Sequence, residues 1–92
     1  MDKRYKPLKL SEQLRIRQQV LDDILSNQQW PLQQVVQHLK TGLRLTTAEL
    51  AKVAGISART LQDIEQGRSQ GTVQTMNKIL GVMGLRLGVC KL

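Results

Sequence analysis

Residues 46–67 read TTAELAKVAGISARTLQDIEQG, and their cap residues predict two short helices joined by a tight turn. Thr46 and Glu49 have the spacing of a capping box, in which each side chain accepts a hydrogen bond from the other residue's backbone N–H. Gly55 ends the first helix, because glycine enters the left-handed conformation without a Cβ clash. Ser57 caps the second helix, and the glycine that closes the stretch ends it.

The apolar residues of this stretch distinguish a helix-turn-helix from an ordinary helical hairpin. A helix-turn-helix needs two short helices that cross steeply around a tight turn. Ala51 is small where the second helix must approach, and Ile56 follows the turn as a buried residue. Three further residues pack both helices against the rest of the domain: Leu50, Leu61 and Ile64. The joint spacing predicts a helix-turn-helix; two ordinary core helices are the alternative.

The composition favours a small helical protein that binds a polyanion. The chain has 92 residues, which is the size of one domain. Fourteen Lys and Arg against 7 Asp and Glu give a net charge of +7. Nucleic acid is the commonest polyanion, and a basic protein without such a ligand is the alternative. Because Tyr5 and Trp30 are the only aromatic residues, an aliphatic core of packed helices is favoured over a β-sandwich.

Several classes of function are disfavoured by the residues present. His38 and Cys90 have no further ligand at metal spacing, and the sequence contains no glycine-rich phosphate loop or catalytic set. We therefore expect no enzymatic activity, no cofactor and no metal. A lone cysteine fits a reducing compartment, and no apolar run of about 18 residues is present. We expect a cytoplasmic protein associated with the bacterial nucleoid, with no membrane partner.

Helical periodicity predicts two helices before the central stretch. Residues 1–10 form a basic arm, and a helix capped by Ser11 then runs to about Ser26. Its predicted apolar face comprises Leu14, Val20 or Leu21, Ile24 and Leu25. Trp30 anchors this helix by packing, and Pro31 opens a second helix that continues to about Thr41.

The last predicted helix leads directly into a strand. Thr72 caps this helix, and five side chains are predicted to point inward: Val73, Met76, Ile79, Leu80 and Met83. Gly81 predicts close packing or an early end before Gly84. The apolar period then changes to two, with Leu85, Leu87 and Val89 on one face. Because one strand cannot satisfy its own backbone, we expect antiparallel pairing with a second subunit; a frayed tail is the alternative.

The sequence therefore divides into three segments. Residues 1–30 contain the arm and the N-terminal helix, residues 31–84 form a helix-turn-helix domain, and residues 85–92 form a dimerisation strand. The fold class expected is all-α, with the strand as its only addition.

Residues 43–68, LRLTTAELAKVAGISARTLQDIEQGR, resemble the Cro/C1-type (Xre) helix-turn-helix family. The resemblance extends over roughly residues 32–84 and implies a lambda-repressor-like bundle that binds palindromic operator DNA as a dimer and acts as a repressor. Residues 77–92, NKILGVMGLRLGVCKL, resemble the end of HipB-type antitoxins. That resemblance implies strand pairing across a homodimer, repression of the protein's own operon, and a HipA-like kinase toxin as partner. The alternative is a stand-alone or phage-type repressor with no toxin.

The family resemblance also assigns the residues that read DNA bases. The start of the second motif helix enters the major groove in that family, and the matching residues are Ser57, Ala58, Arg59, Gln62 and Asp63. Arg59 can donate twice to guanine O6 and N7, Gln62 can read adenine or contact phosphate, and Ala58 can contact a thymine methyl group. Asp63 can accept from a cytosine amino group or orient Arg59, and the orienting role is favoured because a carboxylate repels phosphate. A phosphate contact by Arg59 and a merely solvated Gln62 are the alternatives.

Six residues are expected to contact backbone phosphate: Thr47, Thr60, Arg68, Ser69, Arg44 and Lys52. Thr47 stands where the family commonly has glutamine, so its reach is shorter. Lys40 is expected to be a solvated or interface charge. Residues 1–29 have no counterpart in the compact family domain, and they are a candidate for dimer reinforcement, toxin contact or further phosphate contacts.

Overall fold

A computed structural model describes residues 9–90, and its helices confirm the all-α fold class over that range. The helices are α1 (Leu10–Ser26), α2 (Leu32–Gly42), α3 (Thr47–Ala54), α4 (Ala58–Glu65) and α5 (Val73–Leu80), and a 3-10 turn, Gly81–Met83, follows α5. Most of the predicted basic arm, residues 1–8, lies outside the described residues.

The core is aliphatic, as the lack of aromatic residues predicts. Side chains from α2, α3, α4 and α5 are almost fully buried in it: Val36, Leu39, Leu50, Leu61, Ile64, Met76 and Ile79. Helix α1 adds only Val20 and Ile24. The two motif helices therefore pack between α2 and α5, while α1 lies on the outside of α2.

Helix α1 differs from its prediction at its start and in its apolar face. It begins at Leu10 after Lys9, and no side chain caps it, so the predicted cap at Ser11 is wrong: Ser11 lies inside the first turn. Leu14 and Leu25 are exposed rather than inward. The reason is that α2 covers only one side of α1, and that side carries Val20 and Ile24.

Close backbone approach and two polar contacts attach α1 to the bundle. A Cβ atom on Gly42 would lie 2.5 Å from Val20 Cγ2, so the helices meet where α2 has no side chain. Arg17 donates from Nη2 to the carbonyl oxygen of Val82, at 2.9 Å. His38 Nε2 lies 3.0 Å from Asp23 Oδ2. Helix α1 thus buries Val20 and Ile24 and depends on a close fit around Gly42.

His38 on α2 is half-buried and faces Asp23 of α1. Its ring meets Trp30 edge-on, with 5.2 Å between ring centroids, so this aromatic contact of Trp30 is with α2, and its anchoring of α1 stays a prediction. The hydrogen bond from Gln19, and then that from His38, lower the pKa of Asp23 below its ordinary value of 3.8. Because the pKa of Asp23 is lower in the folded chain than in the unfolded one, its ionised carboxylate stabilises the fold at pH values above the ordinary pKa. This stabilisation is lost as pH falls through the folded-state pKa.

The end of the bundle confirms the early stop at Gly81 and corrects one core residue. Helix α5 ends at Leu80, and a Cβ atom on Gly81 would have no neighbour within 4 Å, so the stop does not reflect close packing. Val73 is exposed, because it occupies the first position of α5. Residues 84–90 form no strand within the described chain. Leu87 N–H instead donates to Asn77 Oδ1 at 2.7 Å.

Candidate nucleic-acid interface

The turn between α3 and α4 is built as the sequence predicts. Thr46 Oγ1 accepts from Glu49 N–H at 3.1 Å, and Glu49 Oε1 accepts from Thr46 N–H at 2.9 Å, which confirms the capping box. Gly55 ends α3 with φ of 77° in the left-handed region. Ala51 is buried and its carbonyl accepts from Ile56 N–H at 3.0 Å, so the chain turns tightly into α4.

Ser57 and Thr60 fix the first turn of α4. Ser57 Oγ accepts from Thr60 N–H at 3.1 Å, and its hydroxyl donates to Thr60 Oγ1 at 2.7 Å. The oxygen and the proton of Ser57 are therefore both engaged within the helix cap. The hydroxyl proton of Thr60 remains available to donate outward.

Three of the predicted base-reading residues, Ala58, Arg59 and Gln62, lie exposed along α4. The side chains of Arg59 and Gln62 make no hydrogen bond or ion pair with any residue in the range 9–90. A free guanidinium beside a capped and rigid helix start can donate two parallel hydrogen bonds to guanine without first breaking a contact within the protein.

Asp63 orients Arg68, and the expectation that it orients Arg59 is wrong. Arg68 Nε donates to Asp63 Oδ1 at 3.0 Å, Nη2 forms an ion pair with the same oxygen at 2.9 Å, and Nη1 donates to Gln66 Oε1. The Asp63 carbonyl also accepts from Arg68 N–H at 2.9 Å, which fixes the backbone after α4. Because a guanidinium has five N–H donors, two of them stay free on a side chain that is held in place.

A buried polar cluster of Glu65, Lys40 and Thr47 joins the end of α4 to α2 and to the start of α3. Lys40 Nζ lies 3.3 Å from Glu65 Oε2, and the Thr47 hydroxyl donates to the same oxygen at 3.1 Å. The amides of Gln33 and Gln37 both donate to the Glu65 carbonyl at 2.8 Å. Among the described positions, Glu65 is the buried charged residue, and the positive charge of Lys40 balances its negative charge.

This cluster changes the interpretation of two residues. Lys40 is half-buried and paired, so the expectation of a solvated or interface charge is wrong. The Thr47 side chain is directed toward Glu65, so any phosphate contact from Thr47 falls to its backbone N–H, which is unpaired at a helix start. Sequence reasoning did not single out Glu65, and the one available signal was its place before Gly67 in the family-like ending.

The remaining candidates for phosphate contact lie on exposed segments. Arg44 adopts φ of 58°, in the left-handed region that favours glycine, where α2 ends. Lys52 is exposed on α3. Ser69 Oγ accepts from Gly71 N–H at 3.0 Å, which shapes the loop after α4. Arg44, Lys52 and Arg68 are thus the basic members of the set, and Arg68 alone has a carboxylate partner within residues 9–90.

No group of three or more His, Cys, Asp or Glu side chains in the described part of the chain is arranged to hold a metal ion. Within the same residues, no helix has the length and apolar character that a membrane span requires.

Comparison with known families agrees with this geometry. The sequence profile of the family HTH_3, described as helix-turn-helix, matches residues 39–89. The chain belongs to this helix-turn-helix family. Family membership and the α3–α4 geometry together establish a DNA-binding protein of the Cro/C1 type. The matched span begins near the end of α2, so α1 lies outside it. Searches of curated proteins and of solved structures found no match.

Proposed function

We propose that this helix-turn-helix protein is a sequence-specific repressor that binds double-stranded operator DNA as a homodimer. The observation that carries the proposal is the exposed guanidinium of Arg59, which has no partner within residues 9–90 and lies on a helix whose start and end are both fixed by hydrogen bonds. A helix in the major groove reads sequence through a few such side chains at its start.

The proposed base contacts centre on α4. Arg59 donates to guanine O6 and N7, Gln62 reads adenine, and Ala58 contacts a thymine methyl group. Ser57 contributes chiefly as the helix cap, since its hydroxyl is already bonded on both sides. Asp63 contributes by holding Arg68.

Phosphate contacts surround these bases and hold the helix in register. Arg68 has two free donors on a fixed side chain, and Thr60 has a free hydroxyl proton. Lys52, Arg44 and Ser69, together with the Thr47 backbone N–H, complete the proposed set. Contacts of this kind position the protein and make binding sensitive to salt, without conferring a sequence preference.

The proposed dimer forms through residues 85–92. Leu85 and Leu87 are half-buried against the core, while Val89 is fully exposed. The N–H groups of Leu85 and Leu87 bond within the chain, to Leu80 O and to Asn77 Oδ1. In an extended segment, alternate N–H groups point to opposite edges, so the edge carrying residues 86, 88 and 90 is left for a partner strand.

We further propose an antitoxin role, with a HipA-like kinase toxin as protein partner and repression as autoregulation. The proposal is supported by the resemblance of residues 77–92 to the end of HipB-type antitoxins, where a helix leads directly into a terminal segment. The alternative is a stand-alone or phage-type repressor. The neighbouring gene discriminates between them: a kinase-like product in the same operon supports the antitoxin, and its absence contradicts it.

Footprinting of the protein on its own promoter tests the repressor proposal. We expect two protected half-sites of related, inverted sequence, with centres one helical turn or a multiple of it apart, because a two-fold dimer presents two copies of α4. The control is an unrelated duplex of the same length and base composition. Uniform protection of both duplexes would contradict sequence-specific repression and would indicate binding through charge alone.

A further inference from the structure

Four leucines form one apolar stripe along α1. At about 100° per residue, Leu10, Leu14, Leu21 and Leu25 fall within about 60° of one another and span about 22 Å of the helix. The exposed fractions of Leu10, Leu14 and Leu25 are 71%, 58% and 48%, and Leu21 is half-buried. Leu21 packs in part against the core, while the other three leucines lie beside the buried face of α1, and the single chain leaves them exposed.

The spacing of these leucines is symmetric about the middle of the helix. Leu10 and Leu25 are equally distant from the point between Arg17 and Gln18, and so are Leu14 and Leu21. An isologous contact requires that residue i meets residue j while j meets i. When two copies of α1 lie antiparallel about a two-fold axis, Leu10 therefore meets the second copy's Leu25, and Leu14 meets its Leu21.

The charges beside the stripe fit the same arrangement. Arg15 and Asp22 lie on one flank, and antiparallel helices bring that flank of each copy together. Arg15 makes no hydrogen bond or ion pair within residues 9–90, and the Asp22 carboxylate receives only the Gln18 amide, at 2.9 Å. Residues seven apart are beyond the reach of the usual helix pairs, so Arg15 is complementary to Asp22 of another copy.

We infer that α1 pairs antiparallel with α1 of a second copy of this chain, through the leucine stripe and reciprocal Arg15–Asp22 ion pairs. This inference rests on the homodimer of the proposed function and adds a second contact surface to it. The two surfaces are continuous, because Leu25 lines the same apolar groove as Trp30, Leu87 and Val89. A dimer can thus bury the stripe and the C-terminal segment together.

Sedimentation equilibrium of the full chain without DNA tests the stripe. Leu14→Gln is expected to raise the dimer dissociation constant by about tenfold or more, because it removes a leucine from the centre of the apolar contact. Val73→Gln is the matched control, since Val73 is 67% exposed on α5 and lies outside the stripe. Both variants should keep the helical content of the wild type, because both side chains are exposed.

A charge exchange tests the antiparallel arrangement. Arg15→Asp and Asp22→Arg are each expected to weaken the dimer, because each places like charges opposite one another. The double variant is expected to recover dimerisation, since the ion pairs re-form with reversed polarity. If both single variants dimerise weakly and the double variant does not recover dimerisation, the antiparallel pairing is overturned.

Gly88→Pro separates this inference from the proposed dimer strand. Proline removes an N–H from the edge left for a partner, and a Cβ atom on Gly88 would have no neighbour within 4 Å. A dimer weakened by Gly88→Pro but not by Leu14→Gln would overturn the role of α1 and leave the proposed function standing. A wild-type chain that stays monomeric, with and without operator DNA, would overturn both.

Discussion

The α3–α4 pair and helix α1 are both amphipathic, yet they are held in the molecule in different ways. Helices α3 and α4 have side-chain caps at both starts, and Glu65 binds the end of α4 to α2 and α3. Helix α1 has no side-chain cap and only two buried residues. The first region is fixed from within, while the second depends mainly on its fit to α2 and on one hydrogen bond from Arg17 to Val82.

The difference matches the function proposed for each region. A helix that reads bases must keep its side chains in one position. The α3–α4 pair meets that requirement, because both helices are capped and α4 is bonded to its neighbours through Glu65. Helix α1 lies outside the family match and exposes leucines that a compact monomer does not need. Its surface therefore suits contact with a second chain, and its attachment to the bundle carries less of the stability.

The largest expected effect comes from breaking the Glu65 cluster with Lys40→Ala. This change leaves a buried carboxylate without its cation, and we expect a loss of about 2–3 kcal/mol in the free energy of unfolding, measured by urea denaturation. This loss is below the roughly 3–5 kcal/mol typical of a fully buried pair, because Lys40 is partly exposed. Lys78→Ala, which removes an exposed lysine from α5, is the control and should change stability by less than about 0.5 kcal/mol.

A double variant locates the cause of that loss. Adding Glu65→Gln to Lys40→Ala removes the unpaired charge and is expected to recover most of the stability. Equal stability of wild type and Lys40→Ala would mean that the cluster does not fix α4, and the contrast between the two regions would fail.

A smaller effect is expected from Gly42→Ala, which loosens α1. The added methyl group would overlap Val20 Cγ2, and the β-branched valine can yield only a little, so we expect a loss of about 1–2 kcal/mol. Gly81→Ala is the control, because a Cβ atom there has no neighbour within 4 Å. In hydrogen exchange, α1 should lose protection before α3 and α4 do. Simultaneous loss in all three helices would show that α1 is an integral part of the motif's support.

Much of the motif could be predicted because its signals are local in sequence. The capping box, the left-handed Gly55 and the cap at Ser57 each depend on residues within four positions of one another, and all three are confirmed. The wrong predictions concern contacts that depend on the tertiary structure. Whether Leu14 faces inward depends on where α2 covers α1. In a helix with leucines on two faces, periodicity predicts that both are apolar but not which one packs on the core.

The polar contacts of the site show the same limit. Asp63 lies four residues after Arg59 and five before Arg68, and the sequence-based prediction paired it with Arg59. The chain turns back after α4 and brings Arg68 onto Asp63 instead. Lys40 and Glu65 are 25 residues apart, so their pairing depends on the packing of α2 against α4.

The most direct test of DNA reading by α4 is Arg59→Ala, measured by fluorescence anisotropy on the operator and on all single-base variants of one half-site. Because the Arg59 side chain is exposed and makes no hydrogen bond or ion pair within residues 9–90, the variant should keep wild-type stability. We expect it to lose roughly 1–3 kcal/mol of binding free energy on the operator and to lose its preference at one base position. Equal weakening on every sequence, with all preferences retained, would contradict base reading by Arg59.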